Sequence, residues 1–250
     1  MIQSFSFAVI ADLHCSEEGD SGIAGASRLG RCVELIAELE PAESPDFLFL
    51  LGDIHLWSLD PASLRAIDIP VHAVAGNHEY GRERKEQLHA SFPHDFRVDG
   101  EPSDYYSFVH KGVRFVVVCD AGAGGDHVGH LASQDIRPHG QFSWLEAELT
   151  QPEERKVVFA HIPPHPHGLE DDMSMGPHDA RSFNALVART RPTAMFFGHQ
   201  HLPTRTFSIG DTQAFVLPSA AWNFEDAPAG FMVARLGAEG VTPREIQLAE

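Results

Sequence analysis

Five short clusters of polar residues in this 250-residue sequence each stand directly after an apolar run, and their side chains are of types that bind metal ions. The clusters are Asp12-Leu13-His14, Gly52-Asp53, Gly76-Asn77-His78-Glu79, His161 and Gly198-His199-Gln200-His201. Short, wholly apolar runs are typical of buried strands. Because ligands bind beyond the carboxyl ends of the strands in open α/β sheets, we expect the clusters to converge on one site.

The potential ligands in these clusters are more numerous than one tetrahedral ion can use. They are Asp12, His14, Asp53, Asn77, His161, His199 and His201. Such a set suits two ions that share a bridging carboxylate, as in two-metal hydrolases. Carboxylates together with imidazoles suit Mn, Fe or Zn better than Mg or Ca alone. The sequence therefore predicts two divalent metal ions per chain.

Most of the clusters, taken singly, have an ordinary alternative explanation. The segment from Asp12 to His14 could be a strand-end cap, Gly52-Asp53 an ordinary turn, and His161 a structural histidine. The pair His199 and His201 is more specific, because side chains two residues apart project to the same side of an extended chain. The ordered set, each member after an apolar run, is what indicates a metal site.

The elements that must position these clusters alternate between strand and helix. Strands are predicted over 5–11, 47–51, 71–75, 105–110, 114–119, 156–160 and 193–197, and helices over 27–40, 82–91, 141–150 and 179–190. The chain from Thr204 onward is predicted to be β. The alternation is typical of an α/β protein, and the late β segment favours a layered sandwich. No repeat or low-complexity linker divides the chain, so we expect one domain over 1–250.

Composition narrows the classes of partner. The chain has 36 acidic and 18 basic residues, for a net charge of −18, which disfavours binding to long nucleic acids. Three scattered cysteines cannot form a disulfide framework and favour a reducing compartment. The N-terminal segment lacks the features of a signal peptide, and no apolar run approaches the ~20 residues of a membrane helix. We therefore expect a soluble, cytoplasmic protein with no membrane partner.

In this order the five clusters resemble the DxH, GD, GNH[DE], single His and GHxH motifs of the calcineurin-like metallophosphoesterases. The resemblance covers residues 7–201. The segments 141–145 and 159–164 are also similar to the purple acid phosphatase and class III cyclic-nucleotide phosphodiesterase branches. The resemblance implies a four-layer αββα sandwich with two central mixed β-sheets.

The resemblance also implies a role for each matched residue. One metal would take Asp12, His14, Asp53 and His201, and the other would take Asp53, Asn77, His161 and His199. Two cations sharing a carboxylate would lower the pKa of a bridging water, giving a hydroxide that attacks phosphorus in line. The catalytic residue in this scheme is His78, which would protonate the leaving oxygen or stabilise its charge. The alternative for His78 is a histidine that supports the ligands or one that faces solvent.

The sequence departs from the family pattern after the bridging carboxylate. Many members carry an Asp three residues later that orients the catalytic histidine, and protein phosphatases add an Arg. Leu56 and Trp57 occupy those positions here. The group that orients His78 is therefore open: either Glu79 or another carboxylate substitutes, or His78 acts less strongly. The missing Arg also makes protein phosphatase activity a weaker expectation.

Other residues could shape substrate choice. Arg82 and Arg84 could contact phosphate, although an exposed helix face is the favoured alternative. His55 and Trp57 could line the cleft, with Trp57 either stacking on a ring or packing in the core. The long loops 121–140 and 162–178 could also reach the site. Their polar candidates are Asp126, His127, His130, His139, His165, His167, Asp171 and Asp172.

The leading hypothesis is a dinuclear metal-dependent phosphoric ester hydrolase, acting as a phosphodiesterase on a small molecule or nucleotide. A phosphomonoesterase with the same site is the close alternative. A different class is a non-catalytic scaffold, because a retromer subunit shares this fold with a degenerate metal site. The complete set of seven ligands argues against a scaffold, and a nuclease for long duplex DNA is disfavoured by the acidic charge.

Overall fold

The computed structural model describes residues 3–16, 25–121, 126–131, 140–164 and 173–248. Its α-helices are α1 (Gly25–Ala37), α2 (Pro61–Arg65), α3 (Arg82–Ser91), α4 (Gln141–Leu149) and α5 (Pro177–Thr190). Its first seven strands are β1 (Phe5–Ile10), β2 (Pro45–Leu51), β3 (Val71–Val74), β4 (Arg97–Val98), β5 (Glu101–Pro102), β6 (Tyr106–His110) and β7 (Val113–Val117). The others are β8 (Arg155–Phe159), β9 (Ala194–Phe197), β10 (Arg205–Ile209), β11 (Thr212–Val216), β12 (Gly230–Gly237) and β13 (Gly240–Gln247). None of the helices in these ranges has the length and apolar composition needed to cross a membrane.

Two large mixed sheets form the centre of the molecule. One has the strand order β13-β12-β1-β2-β3, and the other has the order β10-β11-β9-β8-β7-β6. In the first sheet β1 is parallel to β2 and antiparallel to β12, so the C-terminal hairpin completes the N-terminal sheet. In the second sheet β7, β8, β9 and β11 run parallel. The predicted α/β sandwich with two mixed sheets is confirmed.

The two sheets pack face to face through phenylalanine rings. The ring of Phe7 on β1 lies 5.6, 5.9 and 5.5 Å from the rings of Phe115, Phe159 and Phe196 on the other sheet. Phe49 on β2 stacks on Phe159 at 3.9 Å. All five side chains are fully buried, and each contributes about 1.5–3 kcal/mol by leaving water. This packing fixes the strand ends of the two sheets relative to each other.

The helices follow the predicted patterns with small shifts at their ends. Helix α1 buries Leu29, Cys32 and Ile36, which recur at helical spacing on one face. The short elements α2, β4 and β5 were not predicted. The β4–β5 ribbon has only two paired residues in each strand and is largely exposed, so it carries no hydrophobic period to detect.

Candidate metal centre

The seven predicted metal ligands converge where β1, β2, β3, β8 and β9 end. Each of them is at most 4% exposed: Asp12, His14, Asp53, Asn77, His161, His199 and His201. Buried charged and imidazole groups are rare in proteins unless they are paired or bind metal. The five clusters therefore converge on one site at the strand ends, as expected from the sequence.

One group of ligands consists of Asp12, His14 and His201, whose ligand atoms lie within 4.8 Å of one another. The Nε2 atoms of His14 and His201 are 3.1 Å apart, and Nε2 of His201 is 3.5 Å from Oδ1 of Asp12. Two imidazole nitrogens and a carboxylate oxygen thus point towards a common position. This is a donor set for a divalent transition metal.

A second group consists of Asp53, His161 and His199, again with ligand atoms within 4.8 Å. The side-chain oxygen of Asn77 lies 3.2 Å from Nε2 of His161 and adds a fourth donor. Oδ2 of Asp53 is 3.3 Å from Nε2 of His161 and 3.8 Å from Nε2 of His14. The Asp53 carboxylate therefore stands between the two groups, where a bridging ligand would lie.

Three of the histidines in these groups are held by backbone carbonyls through the ring nitrogen that faces away from the cluster. The bonds run from His161 Nδ1 to Leu51 O at 2.9 Å, from His201 Nδ1 to Trp222 O at 2.7 Å and from His199 Nε2 to His127 O at 2.9 Å. Metal-binding histidines usually donate their second ring N–H in this way. The residues present therefore fit a two-metal centre.

Two glycines of the motifs allow backbone to approach the carboxylates closely. A Cβ at Gly76 would lie 2.2 Å from Oδ1 of Asp53, and one at Gly198 would lie 2.5 Å from Oδ2 of Asp12. Five of the ligands also have positive φ angles: Asp12, His14, Asp53, His199 and His201. Strained backbone of this kind costs about 1–3 kcal/mol per residue and clusters at functional sites.

The buried carboxylate of Glu79 braces the loops that carry the ligands. Its two oxygens accept hydrogen bonds at 2.8–3.0 Å from four backbone N–H groups, those of Gly76, Asp53, Ile54 and His55. Burial, reinforced by the charge of Asp53, raises the pKa of Glu79 to about 7. Because its oxygens are engaged by backbone, Glu79 does not orient the ring of His78. The contacts of Glu79 therefore do not support it as the substitute, whereas another carboxylate lies near the ring, with Oδ2 of Asp53 3.9 Å from Nε2 of His78.

Two further supporting residues had not been singled out from the sequence. Asp120 accepts hydrogen bonds from the backbone N–H of His161 and of the next residue, and it is fully buried. Arg28 is also buried and donates to two carbonyl oxygens of the loop that carries His14. Asp120 stands directly after a predicted strand, so the strand-end signal was present. Arg28 lies on α1, where no local pattern marks it.

His78 lies at the edge of the ligand groups, with 34% of its side chain exposed. Its backbone N–H donates to Oδ1 of Asp53 at 2.9 Å, and its carbonyl accepts from Arg84 Nη1 at 2.9 Å. The ring lies 4.9 Å from that of His14 and 4.8 Å from that of His55. The backbone of His78 is thus fixed on both sides while its ring faces the cavity.

The neighbouring arginines and Trp57 have structural contacts. Arg82 pairs with Glu86 one helical turn away on the exposed face of α3. The guanidinium of Arg84 lies 4.0 Å from the ring centroid of Trp57, which also stacks on His55 at 4.6 Å. Trp57 is 37% exposed, so it is not a core residue. Its ring is engaged by two protein groups.

A cavity of about 370 Å³ opens over the two ligand groups. Its lining consists of His14, Asp53, His78, His127, Met173, His199, His201, Trp222 and Phe224. His127 is one of the loop candidates from the sequence, whereas Met173, Trp222 and Phe224 are additional lining residues. Of the other loop candidates, Asp126 is exposed and His130 lies 3.8 Å from Asp179. Those outside the described residues are His139, His165, His167, Asp171 and Asp172.

The electrostatics keep the Asp53 carboxylate ionised. Burial opposes the charge of Asp53, but neighbouring His161, His78 and His14 outweigh it and hold its pKa well below the usual range. Burial likewise opposes the protonation of His161, but Asp53 and Asp12 outweigh it and raise its pKa to about 10. Protons and metal ions therefore compete for His161, which is the usual coupling at a metal site.

A model of the family described as calcineurin-like phosphoesterase matches residues 5–203, most of the chain. No curated protein matches the sequence.

Among solved structures, a dimetal phosphatase from Danio rerio is similar with a TM-score of 0.65 and 20% identity, over 98% of this chain and 99% of that one. GAP50, described as the anchor in the inner membrane complex of Plasmodium, is similar with a TM-score of 0.64 and 12% identity. That match covers 98% of this chain and 84% of GAP50. At these identities the likeness shows a common fold.

Proposed function

The chain belongs to the calcineurin-like phosphoesterase family and is a metal-dependent phosphoesterase, and from that premise we propose that it hydrolyses phosphodiesters of small molecules or nucleotides. The observation that most supports phosphoester hydrolysis at two metal ions is the position of Asp53. Its Oδ2 lies between the two ligand groups, within 3.3 Å of His161 and 3.8 Å of His14.

Each of the two ligand groups would hold one metal ion. One ion would bind Asp12, His14, Asp53 and His201, and the other would bind Asp53, Asn77, His161 and His199. When bound, the two divalent cations supply an activated water nucleophile and neutralise the charge of the phosphate. Mn(II), Fe(II) and Zn(II) all suit carboxylate, amide and imidazole donors, so metal identity would follow availability.

The role we propose for His78 is to protonate the leaving oxygen. Its ring lines the cavity, and its backbone is held between Asp53 and Arg84. A general acid must lie within reach of the leaving group, and positioning of this kind supplies that geometry. Because the histidine is adjacent to Asn77, one loop carries both a proposed metal ligand and the proposed acid.

The proposed setting of the enzyme is cytoplasmic, in a single domain over 1–250. The three cysteines are buried free thiols, which fits a reducing compartment. The C-terminal strands complete the sheet that begins with β1, which fits one folding unit.

The experiment that tests the function is a panel of phosphomonoesters and phosphodiesters assayed on metal-stripped protein. Mn, Fe, Zn and Mg are added separately, and Asp53→Asn is the matched variant. We expect diester hydrolysis that requires added metal and is lost in Asp53→Asn. Hydrolysis of monoesters alone would favour the phosphomonoesterase, which uses the same site.

A second candidate is a non-catalytic scaffold, which the likeness to the Plasmodium anchor GAP50 brings into consideration. The full set of buried ligands argues for catalysis instead. A protein that holds no metal after loading and hydrolyses no ester of the panel would favour the scaffold.

A further inference from the structure

The geometry points to Trp222 and Phe224 as an aromatic platform that binds a planar ring of the substrate. The ring is the one carried by the organic group that stays on phosphorus after hydrolysis. This inference rests on the proposed phosphodiesterase function and adds a substrate class to it. Diesters with a nucleoside base or an aryl group next to phosphorus would be preferred to diesters of small alkyl groups.

The aromatic platform lines the same cavity as the ligand groups. The Trp222 ring lies 4.1 Å from that of His201 and 6.4 Å from that of His14. Phe224 meets Trp222 edge to face at 5.1 Å and is 47% exposed. An exposed phenylalanine beside a polar site leaves an apolar surface that a ring of the substrate can cover.

Hydrogen bonds fix the loop of the platform to the ligand loops. The N–H of Phe224 donates to the carbonyl of His201 at 2.7 Å, and Nδ1 of His201 donates to the carbonyl of Trp222 at 2.7 Å. Oγ of Ser219 donates to the carbonyl of Asp12 at 2.9 Å. The platform is therefore ordered before substrate binds. Binding of a substrate ring then carries no entropic cost for ordering this loop.

Other exposed apolar residues are poor candidates for this role. Within the described part of the chain, the large apolar side chains that are exposed are those of Trp57, Tyr80, Val109 and Phe224. Of these, Phe224 alone lines the cavity. Trp57 stacks on His55 and lies under the guanidinium of Arg84, so its ring has protein partners. The cavity volume, about 370 Å³, is at the small end of the range for small-molecule sites, about 300–1,000 Å³.

The position of the platform relative to His78 selects which substrate group it binds. His78 and Trp222 line the same cavity, and the ring of His14 lies 4.9 Å from that of His78 and 6.4 Å from that of Trp222. In the proposed binding mode, the leaving group is at His78 and the other organic group is at the platform. The group near Trp222 and Phe224 is the one that remains on phosphorus, and only a diester has such a group.

The first test compares two diesters that share a leaving group. Bis(p-nitrophenyl) phosphate and methyl p-nitrophenyl phosphate both release nitrophenolate, but only the first leaves a ring on phosphorus. With manganese-loaded wild type, we expect a higher kcat/KM for the ring-bearing ester. Phe224→Leu should reduce the ratio of the two kcat/KM values roughly tenfold, the scale of a lost aromatic contact. Phe224→Tyr should preserve the ratio.

The control is Val109→Ala, which removes an exposed apolar side chain of similar exposure, 49%, on β6 away from the cavity. This variant should leave kcat/KM unchanged for both esters. If Phe224→Leu hydrolyses both esters with an unchanged ratio, the platform is overturned while the phosphodiesterase function stands.

If no ester is hydrolysed, a binding measurement tests the aromatic platform separately from the phosphodiesterase function. Diphenyl phosphate and dimethyl phosphate have poor leaving groups, so their affinities for the manganese-loaded protein are measured by calorimetry. We expect diphenyl phosphate to bind roughly tenfold more tightly, and Phe224→Leu to remove the difference. Equal affinities in the wild type would overturn the platform. A clear preference together with no hydrolysis of any ester would support the platform and contradict the proposed function.

Discussion

The carboxylate of Glu79 accepts a hydrogen bond at 2.8 Å from the backbone N–H of Asp53, the residue that lies between the two ligand groups. The two residues are 26 positions apart, on the loops after β3 and β2. Three more backbone N–H groups of the same loops bind this carboxylate. One buried side chain thereby sets the position of the candidate bridging ligand.

Glu79→Gln should loosen this arrangement. A glutamine keeps one acceptor oxygen, but its NH₂ group would face backbone N–H donors that cannot accept. The expected loss is about 1–3 kcal/mol in the free energy of unfolding, with weaker metal binding. Urea denaturation of the metal-free protein and a manganese titration measure the two effects. Glu83→Gln, exposed in the first turn of α3, is the control. An unchanged denaturation midpoint and unchanged metal affinity would show that the brace is dispensable.

His78→Ala should separate chemistry from metal binding. We expect kcat to fall by about 10²–10⁴, the range for loss of a general acid, with metal content retained. The loss should be smaller for a nitrophenyl ester, because a good leaving group needs little protonation. Steady-state kinetics with good and poor leaving groups measures the loss of kcat, and elemental analysis measures the metal content. Equal losses for both esters would contradict the acid role.

Iron-loaded protein should lack the purple band of the purple acid phosphatases. Those enzymes owe it to a tyrosine three residues after the bridging aspartate, where this chain has the buried Leu56. None of the three tyrosines lines the cavity, and the Tyr106 hydroxyl bonds to Ala73 and Asp95 instead. The measurement is the visible spectrum of the iron-loaded, air-oxidised protein. A strong band that disappears in Tyr80→Phe would show that a tyrosine reaches the metal after all.

A buried ion pair away from the site should make stability depend on pH. Asp104 contacts Lys85 at 2.5 Å and His89 at 3.0 Å. Burial opposes its ionisation, but His89 and Lys85 outweigh this and lower its pKa below 3.8. A carboxyl whose pKa is lower in the folded state stabilises the fold above the unfolded pKa, and this contribution is lost as the pH falls through the folded pKa.

Asp104→Asn should therefore lower the free energy of unfolding at pH 7 by about 1–3 kcal/mol. The difference from the wild type should shrink as the pH falls below 3.8. Urea denaturation of metal-free protein at several pH values measures it, with the exposed Asp68→Asn as control. A difference that stays constant down to strongly acidic pH would contradict the ion-pair explanation.

The position of the site could be predicted from the sequence because the physical rule is local. Each cluster follows an apolar strand, and parallel strands bring their carboxyl ends to one edge. The supporting contacts could not be predicted, because Glu79 binds backbone groups that carry no sequence signal. The pairing of β12 with β1 is also non-local, so the late β segment could be recognised as β without its place in the sheet.

The aromatic platform illustrates a limit of the same rule. Strand β11 runs parallel to β9, so the loop after it reaches the same edge as His199 and His201. Trp222 and Phe224 are aromatic, so they do not belong to the polar, metal-binding residue types that mark the other strand ends. If residues after the carboxyl ends of parallel strands are expected at the site whatever their type, Trp222 and Phe224 can be predicted as well.

Elemental analysis of metal-loaded protein tests the central claim most directly. The wild type, stripped and then loaded with manganese, should hold two metal ions per chain after removal of free metal. Asp53→Asn should lose metal from both sites together, whereas His201→Ala should lose mainly one ion. A wild-type stoichiometry that never exceeds one ion per chain would contradict the dinuclear site and with it the mechanism proposed for this phosphoesterase.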